Sequence, residues 1–323
     1  MSKILVSGLC NIETTLKVNK FPIEYYPIDY PFFGIKSSVS GVAYNISKAL
    51  KTLGDDVTLV SYVGNDFEGE YVLNELENSN IVCDFVKKEL KETPTSIVLY
   101  DNEGKRQIYC DLKDIQDQNY DINELSKDKD ILLLCNINFN RENLSKIKNK
   151  IIATDVHVLG NIYDEYNKDF MRYSNILFLS DEAINIKYEE FIMNIENEYH
   201  NDIIVLGMGK NGSMMYVKED NKFYYVSAID VGTIVNTVGA GDALFAGFIH
   251  YYAKGYAPLE ALERATLVAS HKICYNGGAV GHPTEEKVEE LYRLYKKTPK
   301  WFGVFLYKKR NNFTCFLFFF VFK

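Results

Sequence analysis

An α/β fold on a mainly parallel sheet is predicted by three features of this sequence. Short runs recur that are apolar at consecutive positions, as strands covered on both faces require. Segments with helical apolar spacing lie between them. One hairpin signal and one aromatic-rich stretch interrupt the alternation, which points to a second, smaller sheet outside the main one.

Taken in order, the strand candidates are residues 3–8, 57–63, 130–135, 151–155, 176–179 and 203–206. The first turns polar quickly, so it reads as a strand and not as a signal peptide. Residues 12–39 are rich in Pro, Tyr and Phe and have no helical period. Over 42–53, Val42, Ile46, Ala49, Leu50 and Leu53 share one helical face, and Gly54 stands where a C-cap glycine belongs. The run 95–100, the polar turn at 101–104 and the run 105–110 make a β-hairpin. Residues 207–212 spell GxGxxG after an apolar run, yet 213–217 and 223–226 continue as β-turn-β. A dinucleotide fingerprint needs a helix to open at its glycines, so a Rossmann dehydrogenase is set aside. Those glycines then read either as turn residues or as a backbone that a ligand can approach. A helical pattern over 284–295 closes the regular part.

The 323 residues, 47% hydrophobic and 25% charged, suffice for one large domain with an excursion. With 36 basic and 44 acidic residues the net charge is −8, which argues against nucleic acid or an anionic membrane as partner. The aromatic run 313–322 is about half of the ~20 residues that cross a bilayer as a helix. The six cysteines form no CxxC pair and no ligand pattern with the five histidines, as expected of reduced thiols in a cytoplasmic protein.

Chemistry concentrates in Asn236-Thr237-Val238-Gly239-Ala240-Gly241-Asp242, which an apolar helical pattern follows at once. Backbone N–H groups at such a helix start converge on one spot, and the helix dipole adds positive charge there. Asp242 lies in the first turn, where a carboxylate would repel a bound phosphate unless it had a task. It reads either as a catalytic group or as a carboxylate satisfying free helix N–H groups.

The segment resembles the second signature, D-T-x-G-A-G-D, of the ribokinase-like (PfkB) family of sugar and nucleoside kinases. Ser40-Gly41-Val42-Ala43-Tyr44-Asn45 resembles the first signature, a Gly-Gly pair followed by an Asn. Gly64-Asn65-Asp66-Phe67-Glu68-Gly69 matches the G-x-D-x-x-G turn, Gly209-Lys210-Asn211-Gly212 the nucleotide-loop G-x-x-G, and Asn276-Gly277-Gly278-Ala279 the last G-A turn. The matches keep family order across about residues 3–297.

The resemblance implies a ribokinase-like three-layer fold over 1–297 and a β-lid from about 12–39 and 93–112; residues 298–323, rich in aromatics, match nothing in the family and are expected to be a non-catalytic extension. It implies ATP-dependent phosphorylation of a small sugar hydroxyl, with Asp242 as base and the Gly239, Ala240 and Gly241 amides as anion hole. Asn11, Glu13, Gly41, Asn45 and Asn236 are then expected at the substrate, and Gly209, Gly212, Thr237 and Gly278 at the nucleotide. Mg²⁺ is implied on the ATP phosphates. Nucleoside kinase is the alternative, and a sugar- or nucleotide-binding regulator without catalysis is a third reading.

Five positions depart from the family, one being Gly207, where the nucleotide loop usually has Thr. Asn236 replaces the first Asp of the second signature, which weighs against the K⁺ dependence of some members. The usual N-x-D reads Asn11-Ile12-Glu13, one methylene longer. The N-x-x-E that organises Mg²⁺ reads Ser180-Asp181-Glu182-Ala183, leaving Asp181 or Glu182 to serve through water. Ser40 replaces a glycine of the first signature. The aromatics at 21, 25, 26, 30, 32 and 33 could stack on a base, form the core of the lid, or make a lid-to-lid homodimer. Lys36, Lys105 and Arg106 suit a phosphate or plain solvation. His157 falls at the ligand-binding end of its strand, with a capping or core role equally open.

Overall fold

The computed structural model describes residues 1–102 and 105–297. Its strands are β1 (Lys3–Ser7), β2 (Asn11–Lys17), β3 (Ile35–Ser40), β4 (Asp56–Gly64), β5 (Val86–Leu90), β6 (Thr95–Tyr100), β7 (Arg106–Asp111), β8 (Ile131–Leu134), β9 (Ile151–Val158), β10 (Ile176–Ser180), β11 (Ile203–Gly207), β12 (Ser213–Val217) and β13 (Lys222–Val226). The helices are α1 (Val42–Leu53), α2 (Phe67–Asn78), α3 (Asn123–Ser126), α4 (Arg141–Lys146), α5 (Lys168–Tyr173), α6 (Tyr188–Tyr199), α7 (Ala240–Ala253), α8 (Pro258–Lys272) and α9 (Glu285–Lys297).

Nine strands form the central sheet in the order β13-β12-β11-β10-β9-β8-β1-β4-β5. Every neighbouring pair is parallel except those of β12, which runs against both β11 and β13. The pleat sends successive side chains to opposite faces. Ile4, Val6, Ile131 and Leu133 therefore pack under α1, α7 and α8, while Leu5, Leu132 and Leu134 pack over α4, α5 and α6. Two buried faces explain why these strands read as unbroken apolar runs. Strand β5, at the sheet edge, was not expected from its sequence. Its interior is Lys87-Lys88-Glu89, charge that an edge strand tolerates and that hides the apolar pattern.

The second sheet has the order β3-β2-β6-β7, with β2 and β6 parallel and both outer pairs antiparallel. Alternation along β2 turns Asn11, Glu13 and Thr15 to the buried side. The aromatics between β2 and β3 do not fill this sheet's core. Tyr25, Phe32 and Phe33 are 85–96% exposed, because the chain there runs outside both sheets. The reading of these residues as lid core is therefore corrected.

The Gly64–Gly69 turn joins the two sheets mechanically. Asp66 caps α2 by accepting from Gly69 N (2.8 Å), and also accepts from Thr93 N (2.7 Å) and Thr93 Oγ1 (2.6 Å) just before β6. Desolvation opposes its charge, but these bonds outweigh it and hold the carboxyl below its ordinary range. A Cβ on Gly69 would meet Gly64 O at 2.2 Å, so the turn demands glycine there. The extension at 298–323 lies outside the described residues.

Candidate active site

The site is assembled where β1 ends, where α1 and α7 begin, and where β2 passes over them. Gly41 caps α1 with φ +101, and a Cβ there would meet Leu9 O at 2.4 Å. That close approach sets Asn45, one turn into α1, against the start of α7. Gly239 caps α7 with φ +77, and its own Cβ would meet Gly278 O at 2.3 Å. Asn45 Nδ2 donates to Asp242 Oδ2 at 2.7 Å, joining two signatures that lie 197 residues apart.

From Asn45 a polar chain runs to the small sheet. Ser40 Oγ lies 3.4 Å from Asn45 Oδ1 and 3.3 Å from Glu13 Oε2, and its single proton can serve one of them at a time. Ser40 thus does more than stand in for a glycine. Asn11 Nδ2 donates to Ser96 Oγ on β6 (3.0 Å). The other ends of these side chains, Asn11 Oδ1 and Glu13 Oε1, are buried and have no hydrogen-bond partner.

The anion-hole loop is less uniform than its sequence suggests. Ala240 N donates to Thr237 O (3.2 Å), which closes a turn and commits that amide. A Cβ on Gly241 would meet no atom within 4 Å, so a ligand has room to approach its backbone. Asn236 spends both ends of its amide inside the loop: Oδ1 accepts from Val238 N and Nδ2 donates to Asn276 Oδ1, each at 2.8 Å. Thr237 is exposed. Gly278 packs behind Gly239, and a Cβ on it would lie 3.0 Å from Asn45 Nδ2. The Gly209–Gly212 turn joins β11 to β12, and Gly212 (φ +95) leaves no space for a Cβ against Val226 O.

Charge in the cleft is mixed. Burial raises the Asp242 carboxyl above its ordinary value, against the Asn45 hydrogen bond and the charges of His157 and Lys272. Glu13 is raised by burial too, and then by Asp242. β9 extends further than expected and carries Asp155 and His157 to its C-terminal end. There His157 adopts φ +58, its N donates to Asp155 Oδ1 (2.8 Å), and Nδ1 lies 3.4 Å from Asp155 Oδ2. Desolvation disfavours the imidazolium, but Asp155 and then Asp242 outweigh it and lift His157 to about 9.

Among the described residues no cluster of three or more His, Cys, Asp or Glu side chains is gathered to hold a metal. Glu182 is exposed and pairs with Arg106 of β7 at 3.2 Å, and Asp181 accepts from Tyr188 OH at 2.9 Å. This donor set fits a Mg²⁺ that keeps most of its waters and arrives on phosphates, for which one carboxylate suffices. The signatures foretold Asp242, Asn45 and Glu13 but not the pairing of His157 with Asp155. They also missed Lys272, whose one sequence signal is its place on the apolar face of α8 with Ala261, Ala265 and Val268.

A carboxylate at a glycine-rich helix start, covered by a small sheet at the carboxyl ends of parallel strands, defines a ribokinase-like kinase. The chain belongs to the pfkB family of carbohydrate kinases, whose model matches residues 1–285. It is 25% identical to a ribokinase of Dictyostelium discoideum over 89% of this chain and 99% of the relative. It is also 25% identical to a nucleoside kinase of Methanocaldococcus jannaschii, over 92% and 98%. The fold superposes on an Arabidopsis thaliana ribokinase complexed with ribose and ATP, with TM-score 0.73, 18% identity and coverage of 90% and 99%.

Proposed function

We propose that this kinase transfers the γ-phosphoryl group of ATP to a hydroxyl of a small free sugar of the ribose or fructose kind. One observation carries the substrate class: Asn11 Oδ1 and Glu13 Oε1 are buried acceptors without partners, side by side on β2. Buried acceptors left unpaired are costly, and a sugar carries several hydroxyl donors that could satisfy both.

Asp242 accepts the proton of the attacking hydroxyl. The hydroxyl oxygen bonds to the γ-phosphorus as the bond from that phosphorus to the β–γ bridging oxygen breaks, and ADP leaves. The proton then passes from Asp242 to water. The amides of Gly239 and Gly241 and the α7 dipole offset charge on the moving group. Asn45 aims Asp242, and His157 adds positive charge beside it. Mg²⁺, when bound on the phosphates, neutralises charge there, with Glu182 as the carboxylate suited to meet it. The small sheet acts as a lid that excludes water.

A nucleoside presents the same ribose hydroxyls, but the aromatics that would stack its base are solvated, which favours the free sugar. Those aromatics suit a homodimer instead. At ~150–250 Å² per ring, five or six of them approach the ~800 Å² per partner of a standard interface. The deciding experiment is a screen of ribose, fructose, sugar phosphates and nucleosides for ADP release. Turnover with a free sugar is expected, and turnover with nucleosides alone overturns the reading.

A further inference from the structure

Lys272, the last residue of α8, has no solvent-exposed surface and is among the largest fully buried side chains. Its ammonium donates to the Val238 carbonyl, in the loop that leads into the anion hole. The carboxylates whose charge bears on it are Asp242 from α7 and Glu13 from β2. From the loop after α8 it faces His282, which has both ring nitrogens buried and unpartnered. Burial first, then Lys272, Lys48 and His271, push that imidazole down to about 3, so it brings no second positive charge. The charges of His157 and Asp155, already paired with each other, also bear on Asp242.

A buried ammonium persists where it is paired, and without a cation the buried Glu13 and the part-buried Asp242 would push each other toward protonation. The neighbouring Asn236 brings no charge to the loop, and both ends of its amide are engaged. We propose that Lys272 is the resident counter-cation of the active site, bracing Val238 beneath the anion hole and offsetting Asp242 and Glu13, so that catalysis requires no monovalent cation from solution. Lys272 is a positioning residue in this scheme. The proposal rests on the reading of Asp242 as base.

The test compares wild type and Lys272→Met at constant ionic strength in KCl, NaCl and tetramethylammonium chloride, with the sugar that turns over best. Wild-type kcat is expected to agree within about twofold across the salts. The variant should lose about tenfold or more in tetramethylammonium and recover part of it in K⁺. Its acid limb should move up by about one pH unit, as Asp242 loses a neighbouring opposite charge. A merely structural lysine would not shift that limb. Burial holds Lys272 itself down to about 8, so wild-type activity should also fall as pH rises through that value. A strict K⁺ requirement in wild type overturns the proposal, and this arm decides alone if the variant does not fold. A folded variant with unchanged kcat and acid limb also overturns it. Thermal unfolding gives a substrate-free arm: a Tm gain specific to K⁺ is expected in the variant and not in wild type. If no sugar is turned over but this arm behaves as expected, the substrate reading fails and the counter-cation stands.

Discussion

Asp242 must be ionised to accept a proton, yet burial raises its carboxyl above 3.8. Because the ionised form is the active one, activity is lost as pH falls through that raised value. The acid limb of kcat should therefore lie above that of an ordinary aspartate, a shift that a pH–rate profile reads directly. Asp242→Asn keeps the shape and removes the base, so kcat should fall by ~10²–10⁴ while calorimetry shows ATP still bound. Glu13→Gln puts an amide in place of an acceptor that can take two hydroxyls. KM for the sugar should rise about tenfold, the worth of one good hydrogen bond to a charged group, with ATP affinity unchanged. At this scale the signatures made Asp242, Asn45 and Glu13 legible, because each lies in a short string with a distinctive order of residues. Lys272 was not, since its partner Val238 comes from a distant segment that only folding brings to it, and the His157–Asp155 pair was not, since it depends on the positive φ that turns His157 back toward Asp155.

The elements explain which glycines matter and why. Gly212 and Gly209 both adopt positive φ in the β11–β12 turn, but only Gly212 has backbone where a Cβ would go, 2.1 Å from Val226 O. Gly212→Ala should cost ~1–3 kcal/mol through strain at this position. Gly209→Ala, with nothing within 4 Å, should cost less, and paired thermal melts decide the order. The GxGxxG string could have been a helix-opening fingerprint. The two strands that follow made it a hairpin turn, and the structure bears this out with Ser213–Val217 and Lys222–Val226. Helix α1 was legible to its ends because an amphipathic face and a C-cap glycine bounded it. Strand β9 was not, since its last residues leave the apolar pattern at Asp155 and His157.

For the molecule as a whole, the solvated aromatics between β2 and β3 are the feature its own packing leaves unexplained. A homodimer through this surface predicts a two-chain species in sedimentation velocity. The double substitution Phe32→Asp, Phe33→Asp should convert it to monomer. Phe32 and Phe33 are exposed while Asn11 and Glu13 are buried, so turnover by the monomer is expected to persist within about threefold. No described helix is long and apolar enough to cross a membrane.

The sequence alone determined the layered α/β class, because strands buried on both faces cannot avoid continuous apolar runs. It also determined the family and the candidate base, because a glycine-rich helix start followed by Asp is a local pattern. Only the tertiary structure decided what surrounds that base. Asn45 reaches it from 197 residues away, Ser40 relays to Glu13, and a lysine that reads as an ordinary helix-end residue is sealed beneath the anion hole. Burial and through-space charge set the chemistry of those groups, and neither is a property of neighbours along the chain.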